Sequence, residues 1–224
     1  ILYKSIDNID LNLYVYRPKN FDISKIYNSI VFFHGGAWNT QNIKQFQKQS
    51  IYFASRGMIA FIVEYRVTSI HDSTPFQSVE DAKSAIRYIR LNSKSLSLNP
   101  EKIAVSGGSA GGHLAAASAN ISKYDNTNEN LMISSKPNLL IIAAAKVGGI
   151  HANNQLRAEF LLENLKINTN LLEACIPFPE IQIINLGSSC IYPLEATNPI
   201  KEESFMEGKL EPTNSRWLKL SLHE

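Results

Sequence analysis

The chain has 224 residues, 44% hydrophobic and 19% charged, enough apolar material for one large domain or a domain and a fraction. A net charge of +2, carried by scattered lysines and arginines, argues against nucleic acid or an anionic membrane surface as partner. Cys175 and Cys190 make neither a disulfide framework nor a zinc site, and no apolar run approaches the roughly 20 residues of a membrane helix. The first residues, from Ile1, show no initiator methionine and no signal-like segment, so the compartment stays open, with the cytoplasm preferred.

Leu11 to Tyr16 alternates apolar and polar residues and predicts an early antiparallel strand ending at Arg17-Pro18. Ile30 to Phe33 is a short apolar run, a buried strand that ends in His34-Gly35-Gly36. Asn42 to Arg56 reads as a helix stopped by Gly57, and Met58 to Val63 as the next buried strand. Val79, Ala82, Ile86 and Ile89 recur at helical spacing within Pro75 to Leu96. Asn99-Pro100 is a turn, Ile103 to Ser106 a third buried strand, and Leu114 to Asn120 a small-residue helix. Ser122 to Lys136 is a polar surface loop. Leu139 to Ala145, a helix from about Gln155 to Cys175, and Ile181 to Leu186 follow as strand, helix and strand; beyond Ser189 no further strand is legible. This alternation, with glycine-containing turns, predicts an α/β fold built on a doubly wound, mostly parallel sheet.

Gly107-Gly108-Ser109-Ala110-Gly111 fits G-x-S-x-G. A serine hydroxyl attacks an ester only if it projects from the carboxyl edge of the sheet, and a tight strand-to-helix turn with small neighbours achieves this. Upstream, His34-Gly35-Gly36-Ala37-Trp38 follows another strand, where Gly35 and Gly36 can present backbone N–H groups to a tetrahedral oxyanion, with Ala110 N–H as the other donor. Either motif alone is equally a structural glycine turn; their order and their flanking elements favour acyl transfer.

Together with Val63-Glu64-Tyr65-Arg66, Val79-Glu80-Asp81-Ala82 and the run GGSAGGHL from Gly107 to Leu114, these residues resemble the alpha/beta hydrolase fold-3 esterases, hormone-sensitive-lipase-like and acetyl-esterase-like, over about residues 3–142. The resemblance implies hydrolysis of a small-molecule carboxylic ester through an acyl-Ser109 intermediate, with no metal or organic cofactor. Arg66 and Asp81 then read as a structural ion pair, His113 as a packing residue and His34 as a brace of the oxyanion turn.

Chain order in such hydrolases is nucleophile, acid, base. After Ser109 stand only His113, His151 and His223. His113 lies on the nucleophile helix, His151 comes too early, and His223 is left as the weak candidate base; His71 precedes the nucleophile. Asp125 in the polar loop, or Glu195, Glu202 and Glu203 after the fifth strand, are the candidate acids. The triad reads as incomplete.

From Ala143 the sequence changes character. AAAKVGGI at 143–150, Ala152-Asn153-Asn154, GSSCIYP at 187–193 and LEPTN at 210–214 resemble the GDP-L-fucose synthases, NADP-dependent epimerase/reductases of the NAD-dependent epimerase/dehydratase family. The resemblance implies Ser188 as the serine of a Ser-Tyr-Lys set and Cys190 as an acid/base residue, and NADP as cofactor of the intact parent. The glycine-rich phosphate loop is missing upstream, and Trp217 and Ser221 stand where the tyrosine and lysine belong, so no donor remains for hydride-coupled proton transfer. The expectation is therefore residues 1–142 as the esterase-like part and 143–224 as a Rossmann-like strand-helix-strand fragment that continues or follows its sheet. The functional alternatives are a serine esterase by ancestry and a catalytically idle chimera; oligomeric state stays open.

Overall fold

In the computed structural model, residues 1–143, 157–179 and 181–185 are described, with Glu195, Lys201 and Ser204 singly. Seven strands form one sheet: β1 (Leu2–Ile6), β2 (Ile9–Tyr16), β3 (Tyr27–Phe33), β4 (Ile59–Val63), β5 (Leu98–Gly108), β6 (Leu139–Ala143) and β7 (Gln182–Asn185), in the spatial order β1-β2-β4-β3-β5-β6-β7. The β1–β2 and β2–β4 pairs are antiparallel, and every pair from β4 across to β7 is parallel. Among the described residues the α-helices are α1 (Gln47–Ser55), α2 (Thr68–His71), α3 (Pro75–Leu91), α4 (Ala110–Asn120) and α5 (Arg157–Cys175). The fold is α/β with a mostly parallel mixed sheet, as the alternation of elements predicts.

The chain divides into two compact units. One comprises residues 1–144 and 171–185, and so holds all seven strands; the other comprises 145–170 and 186–224. The described part of the second is the helical stretch 157–170, with Glu195, Lys201 and Ser204; within the helix Lys166 Nζ lies 3.8 Å from Glu163 Oε1 one turn away.

Strand β3 is buried on both faces, which is why its sequence is apolar without alternation. Val31 and Phe33 join Phe61, Val63, Ile86, Ile103 and Leu114 in the larger cluster, which α3 and α4 cover. Ile30 and Phe32 join Ala60, Ile62 and Ala104 in a smaller cluster closed by Phe46 and Phe53. α3 starts from a full capping box, with Thr74 and Gln77 bonded reciprocally and Pro75 at the first helical position.

Several sequence-based boundaries shift in the structure, four of them for a clear local reason. β1 has no clear polar–apolar alternation because Lys4 is buried and ion-paired to Glu80 and Asp81. The expected helix 42–56 is a 3-10 turn (Ile43–Phe46) leading into α1. α3 stops at Leu91 rather than Leu96, where the Asn92 side chain donates to the Tyr88 carbonyl. Asn99-Pro100 lies inside β5, at an irregularity where the Asn99 side chain accepts from Glu101 N–H.

The polar loop after α4 is tied to α3 by three cations spaced along that helix. Lys83 Nζ donates to the Ile121 and Lys123 carbonyls and to Asp125; Arg87 bonds Asp125, Glu129 and the Ile133 carbonyl; Arg90 bonds the Pro100, Ser134 and Lys136 carbonyls. No helix of the described residues is long and apolar enough to cross a membrane.

Candidate active site

The connection after β3 crosses to β4 on one side, and the chain then returns to place β5 on the other side of β3. Such a reversal leaves a crevice outside the carboxyl ends of the two adjacent parallel strands. Phe33 pairs with Gly107, so His34-Gly35-Gly36 and Gly108-Ser109 leave the sheet side by side.

Ser109 caps α4 with φ 53° and ψ −120°, a backbone state that costs a non-glycine residue on the order of 1–3 kcal/mol. Its surroundings impose that state. A Cβ on Gly107 would stand 2.3 Å from Gly111 C and O, and one on Gly111 would stand 2.0 Å from Phe33 O. The turn therefore closes only with glycine on both sides of the serine. Ser109 is exposed while Ala110 and Gly111 behind it are buried, so the hydroxyl is presented and its backbone is held.

The facing turn is also under strain. Gly36 has φ +137°, with its Cβ position 2.2 Å from Thr40 O, and Ala37 and Trp38 follow at φ 53° and 57°. Two consecutive left-handed L-residues cost about 1–2 kcal/mol each. α2 holds them. Thr68 N–H donates to Trp38 O at 2.9 Å and Ser69 N–H to Asn39 O at 3.1 Å, with the Ser69 hydroxyl on the same carbonyl. On the other flank Glu64 accepts from Gln41 Nε2 at 2.6 Å and from Asn12. Sequence reasoning missed α2, Gln41 and this use of Glu64, because each acts through contacts distant in sequence.

His34 is fully buried and stacks on Tyr65, centroids 4.2 Å apart and planes 15° apart. The Tyr65 hydroxyl donates to the His34 carbonyl at 2.6 Å. The ring's Nδ1 lies 2.8 Å from Gly35 O, which can only accept, so Nδ1 carries the proton. Nε2 is then a lone pair with no partner among the described residues. Burial lowers the pKa of this imidazole, against an opposing pull from the Gly35 carbonyl, and keeps it neutral.

Of the remaining histidines, His71 Nδ1 accepts from Val67 N–H, and exposed His113 packs its ring 5.5 Å from that of Trp38. Among the described residues no hydrogen bond joins an imidazole to the Ser109 hydroxyl. His151, Ser188, Cys190, Glu202, Glu203, Trp217, Ser221 and His223 lie outside the described residues. Asp125 is bound to Lys83 and Arg87, and Glu195 is exposed. Arg66 and Asp81 form the expected ion pair: Arg66 Nε reaches Asp81 Oδ2 and Arg66 Nη2 reaches Oδ1, each at 2.8 Å.

One expectation for the oxyanion turn needs correction. The Gly35 N–H is not free: it donates to Oε1 of Gln45 on the 3-10 turn. The N–H groups of Gly36 and Ala110 carry no such bond among the described residues. Gln45 sits in a stretch whose polar residues read as one side of a longer helix, and no local signal marks it.

Comparison with known proteins gives two separate likenesses. The BD-FAE family model matches residues 13–166, more than half of the chain. Esterase 2 of the planctomycete Thermogutta terrifontis in its propionate-bound form is 31% identical, covering 83% of this chain and 81% of that one at a TM-score of 0.68. The same esterase phosphonylated by cyclosarin is 28% identical, covering 99% of this chain and 90% of that one, at 0.69. The GDP-L-fucose synthase of Sinorhizobium fredii is 45% identical over 86 residues, 38% of this chain and 27% of that one. Putative GDP-L-fucose synthase 2 of Arabidopsis thaliana is 48% identical over 86 residues, 26% of its length. The chain spans about a quarter of the length of these curated relatives.

Proposed function

The chain belongs to the BD-FAE family, and on that premise we propose that it is a serine hydrolase of small carboxylic esters acting through an acyl-Ser109 intermediate. The observation that carries this reading is the exposed Ser109 at φ 53°, ψ −120° on a turn closed by Gly107 and Gly111. The Ser109 hydroxyl oxygen attacks the ester carbonyl as a base takes its proton. The oxyanion is met by the N–H groups of Gly36 and Ala110, the alcohol leaves with a proton from the base, and water then cleaves the acyl-serine. No metal or organic cofactor enters these steps. In chain order His223 is the candidate base, with Glu195, Glu202 or Glu203 behind it.

A second reading rests on the GDP-L-fucose synthase likeness. Residues 143–224, on this reading, are a fragment of that enzyme that replaces the chain in which a hydrolase carries its acid and base. Ser188 and Cys190 are inherited but idle, because Trp217 and Ser221 stand in the tyrosine and lysine places and no NADP-binding loop precedes them. The sheet is compatible with such a junction, since β6 pairs in parallel with both β5 and β7.

The experiment that separates the two readings is labelling of the full chain with a fluorophosphonate, beside Ser109→Ala. The esterase of known structure is phosphonylated by cyclosarin, a reagent of the same class. Labelling lost in Ser109→Ala supports the hydrolase; no labelling, or equal labelling of both proteins, supports the idle chimera.

A further inference from the structure

The Gln45 carboxamide occupies a notch that two glycines leave open. Its Oε1 accepts from the buried Gly35 N–H. A Cβ on Gly35 would stand 3.4 Å from that Oε1 and also 3.4 Å from Ser109 Cβ, so the oxygen and the nucleophile's Cβ are at most twice that distance apart. A Cβ on Gly108 would lie 3.5 Å from Gln45 Nε2 and 3.3 Å from the Phe46 ring. The short 3-10 turn is itself anchored, because Phe46 stacks on Phe32 of β3 with centroids 5.0 Å apart and planes 11° apart. One amide thus touches the oxyanion turn with its oxygen and faces the residue before the nucleophile with its nitrogen.

We propose that Gln45 is a positioning residue of the acyl-transfer site, a proposal that rests on reading Ser109 as the nucleophile. By taking the Gly35 N–H it fixes the His34–Gly35 peptide, the one immediately before the peptide that carries the Gly36 N–H, and so limits how the next free donor can turn in a loop that is otherwise strained at Ala37 and Trp38. A preorganised donor stabilises an oxyanion without reorganising during the reaction, whereas a free peptide plane does not. The neutral amide suits this place. A carboxylate there would still accept from Gly35, but would set a negative charge within a few ångströms of the developing oxyanion.

Two measurements on the full chain test this: hydrogen exchange of the Gly35 amide, and the rate of fluorophosphonate labelling at Ser109. Gln45→Ala is expected to speed Gly35 exchange by about tenfold or more and to slow labelling by a similar factor. Gln45→Glu is expected to keep Gly35 protected yet slow labelling, with recovery as the pH falls towards carboxylate protonation. Unchanged Gly35 exchange in Gln45→Ala overturns the proposal. So does faster labelling of that variant, which would make Gln45 an obstruction. If the wild-type chain takes no label, the esterase reading is lost, and Gly35 exchange alone decides whether Gln45 holds the turn.

Discussion

Gly111 on α4 and Phe33 at the end of β3 are in backbone contact: a Cβ on Gly111 would stand 2.0 Å from the Phe33 carbonyl oxygen and 2.5 Å from that of His34. This approach brings the Gly107–Gly111 turn and the His34–Gly36 turn together. Replacing Gly111 with alanine forces helix and strand apart, and neither obstructing atom is a flexible side chain. We expect Gly111→Ala to lose more than about 4 kcal/mol, or to yield no soluble protein. Gly108→Ala meets only the Phe46 ring at 3.3 Å and the Gln45 amide at 3.5 Å, and should cost about 1–2 kcal/mol. Urea unfolding of the two variants makes the comparison, and equal midpoints would contradict it.

Asp81 holds two buried cations at once. Its Oδ1 accepts from Lys4 Nζ at 2.7 Å and Arg66 Nη2 at 2.8 Å, and its Oδ2 accepts from Arg66 Nε at 2.8 Å and Arg66 N–H at 3.0 Å. The carboxylate is fully buried and ties α3 to β1 and to the segment after β4. Asp81→Ala leaves Arg66 and Lys4 with partly exposed Glu80 as their counter-ion among the described residues, and should cost about 3–5 kcal/mol in chemical denaturation. Asp81→Asn, which keeps one acceptor oxygen, should fall between that variant and wild type.

The contrast between Gly111 and Lys4 shows which parts of this molecule are legible in its sequence. The turn at Ser109 and the H-G-G turn are set by steric demands a few residues long, so Gly35, Gly36, Gly107 and Gly111 mark them directly. Buried strands such as Ile59–Val63 are written as unbroken apolar runs. β1 escapes because Lys4 reads as a surface residue until its partners 76 and 77 positions away are known. Gln45 escapes for the same reason: nothing near it in sequence indicates that its amide meets Gly35, ten residues earlier. α2 is too short for periodicity, and its meaning lies in the carbonyls of Trp38 and Asn39.

Asp125 makes stability depend on acid conditions. Burial alone would raise its pKa, but hydrogen bonds from Lys83 and Arg87 outweigh burial and hold it below its ordinary value of 3.8. A carboxylate with a depressed folded-state pKa contributes its full stabilisation above the unfolded value, and loses it as the pH falls through the folded one. Asp125→Asn should therefore be less stable than wild type at pH 7, by about 1–3 kcal/mol. The gap should narrow once the pH drops below about 3.8. Urea midpoints of both proteins between pH 7 and pH 3 give the comparison, and a constant gap would show that Asp125 is not the titrating group.

His34 works over a higher pH window, with the same sign. Its folded-state pKa is lowered chiefly by burial, so the folded protein holds the ring neutral while an unfolded chain protonates it near 6.5. The unfolded state then binds the extra proton, and stability falls as the pH drops below 6.5 until the folded-state value is reached. Above that window the neutral ring contributes its full stacking on Tyr65 and its Nδ1–H bond to Gly35 O. His34→Asn retains a hydrogen-bond donor but does not titrate. Relative to wild type it should be destabilised most at pH 8, and the difference should shrink as the pH falls below 6.5. The ring supports the peptide that precedes Gly36 and stays neutral in the folded protein across this window, so the Ser109 labelling rate of wild type should hold while stability falls, and drop only once the pH reaches the lowered folded-state value. A labelling rate that falls in step with stability just below pH 6.5 would show that the folded-state ring titrates near its unfolded value, against its burial.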